Sequence, residues 1–143
     1  MSGDPRDRFD EWQQPEITNG ELTKYNWIVH HPEQLELHDY VDIAAFTVIN
    51  AHSGVLIESG VQIGPHCDIH SKSTIDEREG QIIIREGAKI GSHTTLLPGV
   101  EIGSNSVIGS HSVVREDIPA DSLAVGTPTE IKKGSSKSSG PNL

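Results

Sequence analysis

The 143 residues carry 11 Lys and Arg against 21 Asp and Glu, a formal charge of −10, and a chain of this length has room for one domain. That balance argues against nucleic acid as the main partner, because neutralising phosphates takes clustered cations. No apolar run is long enough for a membrane span, no signal-peptide pattern is present, and the one Cys allows no internal disulfide, which together predict a cytoplasmic protein.

Residues 1–34 are expected to form an arm and a cap. Residues 1–20 are polar and contain Pro5 and Pro15, the composition of a flexible or partner-docked arm. Residues 21–34 hold Tyr25 and Trp27 and are expected to cover the open lower end of a solenoid, since such an end needs covering. From residue 35 the chain becomes periodic. Leu37, Ile43 and Ile49 are six apart; so are Ile57, Ile63, Ile69 and Ile75, and again Ile84, Ile90, Leu96, Ile102, Ile108 and Val114. Two positions before the later ones stand Ala88, Thr94, Val100, Ser106 and Ser112, all small or β-branched. A six-residue period fits neither the 3.6 residues of a helix turn nor the two-residue alternation of a long strand. It fits a chain that turns a corner every six residues, with one large and one small side chain pointing inward from each short strand. Hexapeptide repeats of this kind are a β-helix signature.

The expected fold is therefore all-β, a parallel β-helix over residues 35–118 of thirteen hexads, three to a coil, or about four coils. The step from Ile49 to Ile57 is eight residues and that from Ile75 to Ile84 is nine. The excess must leave at a corner, because the core has no space for extra backbone. A bulge is expected near 50–56 and a loop near 76–81. Ile90, Leu96, Ile102 and Ile108 are expected in the core, with Cys67 as a buried small residue. Residues 119–133 lack the period and form a C-terminal extension; 134–143, GSSKSSGPNL, read as a low-complexity, disordered tail.

The run IGSHTTLLPGVEIGSNSVIGSHSVVREDIPADSLAVGTPTEIKK resembles the hexapeptide-repeat acyltransferases, the sugar acetyltransferases built on a left-handed β-helix. The match lies in Leu97-Pro98-Gly99-Val100, Val107-Ile108-Gly109, Ser112-Val113-Val114, Asp117-Ile118-Pro119 and Gly126-Thr127-Pro128, and the resemblance covers about residues 35–133. It implies a left-handed helix, a homotrimer with active sites in clefts between neighbouring prisms, and acetyl-CoA as co-substrate. The implied reaction is O- or N-acetylation of a sugar or nucleotide-linked sugar in surface-polysaccharide biosynthesis. A His would take the acceptor's proton, its unperturbed pKa of about 6.5 lying near working pH.

Counting three hexads per coil puts Ile49, Ile69, Ile90 and Ile108 on one face. On that count His52, His93 and His111 line one edge, His70 shares their face, and His66 lies on the face before. Many relatives by resemblance carry the base in a pattern like I-Y-[ST]-x-H. Here the stretch reads Ile69-His70-Ser71-Lys72-Ser73-Thr74, with Lys72 or Ser73 where that His would stand. The stretch GVQIGPHCDIHSKSTID is instead similar to a subgroup reading GVQIGSHC-x-IYS-x-STID, in which His66 is the matched His. The catalytic candidates are therefore His66 first and His93 second, with His70 third. Asp68 and Asp76 are the carboxylates that could fix a tautomer. Asn50, His52, His70 and Asp76 are the acceptor-binding candidates. Gly109, Ser110, Gly126, Thr127, Lys132 and Lys133 resemble positions that hold CoA. There glycine admits a ligand close to the main chain, and lysine meets phosphate. No metal is expected. Two other functions fit the same fold: a trimeric zinc carbonic anhydrase with three His ligands, and a non-catalytic trimeric scaffold.

Overall fold

The structure, a computed structural model, describes residues 9–134. The predicted N-terminal arm before residue 9 and the tail from 135 onward lie outside the described residues. Three sheets wrap one core. Face A stacks β1 (Ile28–His30), β4 (Val48–Asn50), β7 (Asp68–His70), β10 (Thr95–Leu96) and β13 (Val113–Val114). Face B stacks β2 (Leu35–Leu37), β5 (Val55–Ile57), β8 (Ile82–Ile84) and β11 (Glu101–Ile102), with Ile118 bridged onto Ile102. Face C stacks β3 (Asp42–Ile43), β6 (Gln62–Ile63), β9 (Lys89–Ile90), β12 (Val107–Ile108) and β14 (Leu123–Gly126), and ends in β15 (Thr129–Lys133). Every pairing between these strands is parallel except β14 with β15, which is antiparallel.

The inward column of face A is Val29, Ile49, Ile69, Leu96 and Val114; that of face B is Leu37, Ile57, Ile84, Ile102 and Ile118; that of face C is Ile43, Ile63, Ile90, Ile108 and Ala124. All are buried but the half-buried Leu37, so the six-residue period is a core period. The helix has about five coils rather than four. Ile28–His30 pairs with Val48–Asn50 below the first periodic residue, and Ala124 pairs with Ile108 beyond the last.

The corners explain the hexad. From C to A the residue before each small inward position is left-handed: Phe46, His66, His93 and His111 have φ between 57° and 66°. Tyr40, Asn105 and Asp121 do the same from B to C, where Gly60 and Gly87 take the other two turns. His, Asn and Asp tolerate this conformation better than most side chains, and Gly does so without strain. The small inward residues lock the C-to-A corner to the coil above. Thr47 Oγ1 donates to the Gly64 carbonyl at 2.8 Å, Cys67 Sγ to that of Gly91 at 3.2 Å, and Thr94 Oγ1 to that of Gly109 at 3.3 Å. Cys67 thus fills a hydroxyl's place, and burial pushes its thiol pKa up.

Two expectations fail together. Ile75 is not a core residue but 97% exposed. The loop is also longer than 76–81: the chain leaves the coil after His70 and returns at Ile82. Between them runs a hairpin closed by Ser73 N–H to the Arg78 carbonyl at 2.8 Å and Gly80 N–H to the Ser71 carbonyl at 2.9 Å. Counting Ile75 as a hexad slips every later residue by one face. Leu96, not Ile90, stacks on Ile69, and Ile90 stacks on Ile63. His52 therefore does not share an edge with His93 and His111, and His66 does.

Candidate functional site

The three corners differ in length. Steps between inward residues from B to C and from C to A are six throughout, as in Ile57 to Ile63 and Ile63 to Ile69. From A to B they are eight from Val29 to Leu37, eight from Ile49 to Ile57, fifteen from Ile69 to Ile84, six from Leu96 to Ile102 and four from Val114 to Ile118. All surplus chain leaves at one corner, where it builds a cleft.

That cleft, about 400 Å³, is lined by Asn50, His70, Lys72, Ser73, Thr74, Ile75 and Leu97. Asn50 and His70 are opposite one another on β4 and β7, and the strand alternation turns both outward. His70 Nε2 lies 3.8 Å from Asp68 Oδ1, two residues back on the same strand and the same side. The hairpin forms the other wall and is tied down on both sides. Ser71 Oγ donates to the Asn50 carbonyl at 2.8 Å and accepts from Ser53 N–H at 2.9 Å, and Ser53 Oγ donates to Glu79 Oε2 at 3.1 Å. Within the hairpin the Ser73 hydroxyl and then the Arg78 N–H hold the Asp76 carboxyl below its ordinary range.

Of the acceptor candidates, Asn50 and His70 meet in this cleft, and Asp76 braces the hairpin beside it. His52 sits on the same corner, its ring edge-on to His31 at 5.1 Å. Lys72, Ser73, Thr74, Ile75 and Leu97 are lining residues that the sequence reading misses. The nine-residue step is the signal for the first four, and treating Ile75 as core hides it, whereas Leu97 lies on a regular six-residue step.

The catalytic candidates His66 and His93 stand on the C-to-A corner, in a column of rings. Phe46 to His66 is 5.4 Å between centroids, His66 to His93 4.9 Å at 19°, and His93 to His111 4.7 Å at 10°. All four are exposed. The column arises from one left-handed residue per turn, stacked at the coil spacing.

The CoA candidates lie at the upper end of that corner and on the β14–β15 hairpin. Gly109 is closed in by the protein itself, since a Cβ there would meet Val125 Cγ2 at 2.6 Å. Ser110 Oγ is 3.4 Å from Ser92 Oγ, and Gly126 N–H donates to Ser112 Oγ at 3.1 Å. Thr127 joins the two strands of the hairpin; Lys132 Nζ pairs with Glu130 at 3.1 Å, and Lys133 is exposed. Among the described residues no group of three or more His, Cys, Asp or Glu is placed to hold a metal ion, and no helix is long and apolar enough to cross a membrane.

Residues 81–116 match the family described as bacterial transferase hexapeptide (six repeats). A Schizosaccharomyces pombe protein provisionally named an acetyltransferase is 34% identical over 128 residues, 85% of this chain and 60% of that one. Escherichia coli WbbJ, provisionally named an O-acetyl transferase of lipopolysaccharide biosynthesis, is 30% identical over 118 residues, 74% of this chain and 60% of its own. Staphylococcus aureus proteins provisionally named acetyltransferases are 45% identical over 64 residues, 45% of this chain, which spans only 32% of their length. Among solved structures, a hexapeptide-repeat acetyltransferase of Vibrio cholerae complexed with acetyl-CoA superposes with a TM-score of 0.70 at 27% identity, over 75% of this chain and 63% of that one. The chain thus carries the hexapeptide repeats of the bacterial transferases and the left-handed parallel β-helix of the hexapeptide-repeat acetyltransferases.

Proposed function

We propose that the protein transfers an acetyl group from acetyl-CoA to a hydroxyl or amine of a sugar or nucleotide-linked sugar, in the cytoplasm and in the service of surface-polysaccharide biosynthesis. The observation that carries this is the cleft at the A-to-B corner, with an imidazole beside a carboxylate at its wall. His70 is the base that the geometry favours over His66. It faces the cleft, and Asp68 at 3.8 Å can steady the imidazolium that forms. His66 stands in the stacked column, where the corner geometry already accounts for its position. The acceptor oxygen or nitrogen gives its proton to His70 as it attacks the thioester carbonyl. On this reading Asn50 holds the acceptor, and the coenzyme's sulfur leaves as thiolate.

The names of the relatives support the donor and the acceptor class: one is an acetyltransferase with acetyl-CoA, another a galactoside acetyltransferase in complex with coenzyme A. The donor candidates Ser110, Gly126 and Lys132 lie at the other edge of face A and above it. From corner to corner along β7 is about 13 Å at 3.3 Å per residue. A homotrimer that sets the donor corner of one copy against the cleft of the next would close that distance.

The test is release of coenzyme A thiol with a panel of amino and hydroxy sugars, run beside light scattering. Turnover by an assembly near three times the 15.5 kDa chain is expected. Failure of every acceptor with intact acetyl-CoA binding would overturn the acceptor class, and a monomer at micromolar concentration would overturn the shared site.

A further inference from the structure

We propose that the base of the prism holds a second site, a cavity that takes a quaternary ammonium ion of the choline type; it lies apart from the proposed acceptor cleft and does not depend on it. β3 is the lowest strand of face C among the described residues, and residues 9–27 close against this end of the coil. Trp12 Nε1 donates to the Val41 carbonyl at 3.0 Å, and the Asn26 carbonyl accepts from Phe46 N–H at 2.6 Å. Between them remains a cavity of about 180 Å³, lined by Phe9, Trp12, Tyr25, Trp27 and Asp42 together with aliphatic side chains. It shares no residue with the cleft at the A-to-B corner. Four of the chain's six aromatic side chains thus gather around one space, in a fold whose core columns are aliphatic.

Size, charge and hydrogen bonding narrow the occupant. A cavity of about 150 Å³ already admits a benzene-sized guest, so this one has room for a trimethylammonium group. Its lining holds one carboxylate, Asp42, and no cationic side chain. Between Phe9 and Trp27 the chain carries Asp10, Glu11, Glu16 and Glu21 against Lys24 alone, and the whole chain is at −10, so the surroundings favour a cation over an anion. Aromatic faces attract cations, and Lys24 Nζ rests over the Tyr25 ring at 5.1 Å, so a ring of this rim takes an ammonium in the structure itself. Hydrogen-bonding capacity then separates the kinds of ammonium. A primary one brings three donors, for which the lining has two side-chain acceptors, the Asp42 carboxylate and the Tyr25 hydroxyl. The one donor of Trp12 is spent on Val41. A quaternary ammonium brings no donor, so it enters an apolar, ring-walled space without leaving one unsatisfied.

Tryptophan emission of the whole protein reads this site, because Trp12 and Trp27, the chain's two tryptophans, both line it. Three probes separate the causes of binding: choline, its uncharged isostere 3,3-dimethylbutan-1-ol, and ethanolamine, the same alcohol on a primary ammonium. Choline is expected to bind about tenfold or more tighter than either. Tyr25→Leu, at a residue already 42% exposed, and Asp42→Asn should each weaken choline by about threefold or more, and Lys24→Gln should tighten it by removing a like charge. Phosphocholine separates the sources: undiminished affinity assigns the group to a phosphate-linked headgroup, and a loss assigns it to the free ion. Equal binding of choline and its isostere would mark a plain apolar pocket and overturn the proposal. Ethanolamine as tight as choline overturns it too, as does no response to choline, or choline affinity untouched by both Tyr25→Leu and Asp42→Asn. The comparison of probes on the unaltered protein decides the matter even where a variant fails to fold.

Discussion

The C-to-A corner and the A-to-B corner are built from the same chain with opposite rules. The first is always reached in six residues, carries one left-handed residue per turn, and stacks those residues into the column Phe46, His66, His93 and His111. The second varies from four to fifteen residues and holds the hairpin, the cleft and His70. Constant spacing marks where coils are locked to one another, and variable spacing marks where chain is free to build a site. A histidine on the first corner is accounted for by the left-handed turn it makes, whereas His70 on the second makes no such turn.

The largest effect should come from the core that both corners share. Ile102 is fully buried, and Ile102→Asp should abolish folding, since an unpaired buried carboxylate costs several kcal/mol against a total stability of similar size. Soluble protein with an unchanged melting temperature would break the three-column register. Next, His70→Ala should lower kcat by roughly 10²–10⁴ with CoA affinity intact, while His66→Ala stays near wild type. The reverse result moves the chemistry to the fixed corner and undoes the contrast.

Removing residues 73–79 sharpens the comparison. It returns the corner to the eight-residue step of the two coils below, 15 − 7 = 8. The helix should still fold, with a melting temperature within about 5 °C of the parent, and should no longer take an acceptor. Smaller again, His93→Ala should cost about 0.5–1 kcal/mol in urea unfolding by breaking the ring column, with turnover unchanged. The smallest effect lies in the hairpin. The Asp76 carboxyl is held below its ordinary range, so its support is complete at neutral pH and lost as pH falls through that lowered value. Protection of the Ser73 amide against exchange, taken relative to its intrinsic rate at each pH, should fall on acidification before that of any coil amide, and Asp76→Asn should show the same loss of protection at pH 7.

The core columns are legible in the sequence because a large aliphatic at every sixth residue matches neither helix nor long strand and suits a three-cornered coil. Face assignment is less secure. Nothing in its identity separates Ile75 from Ile69, and only the pairing of Leu96 with Ile69 shows that Ile75 left the core. Asn50 and His70 are legible as acceptor candidates because they flank the irregular steps. Lys72, at the wall of the cleft, stands out in the sequence only as the wrong residue type in a catalytic pattern. Its place in the cleft depends on the path of the hairpin after His70, which a six-residue count does not encode.

The unequal coil lengths also bear on how the chain folds. Rungs of face A join residues 20, 20, 27 and 18 apart: Val29 to Ile49, Ile49 to Ile69, Ile69 to Leu96, and Leu96 to Val114. The closure entropy of a loop grows only with the logarithm of its length, so the 27-residue coil costs about 0.4 kcal/mol more to close than the 18-residue one. Lengthening or rewriting the hairpin is therefore almost neutral for the rest of the fold. Coils can form in sequence on either side of it, and the loop that meets the acceptor can change its residues while the scaffold beneath continues to assemble rung by rung.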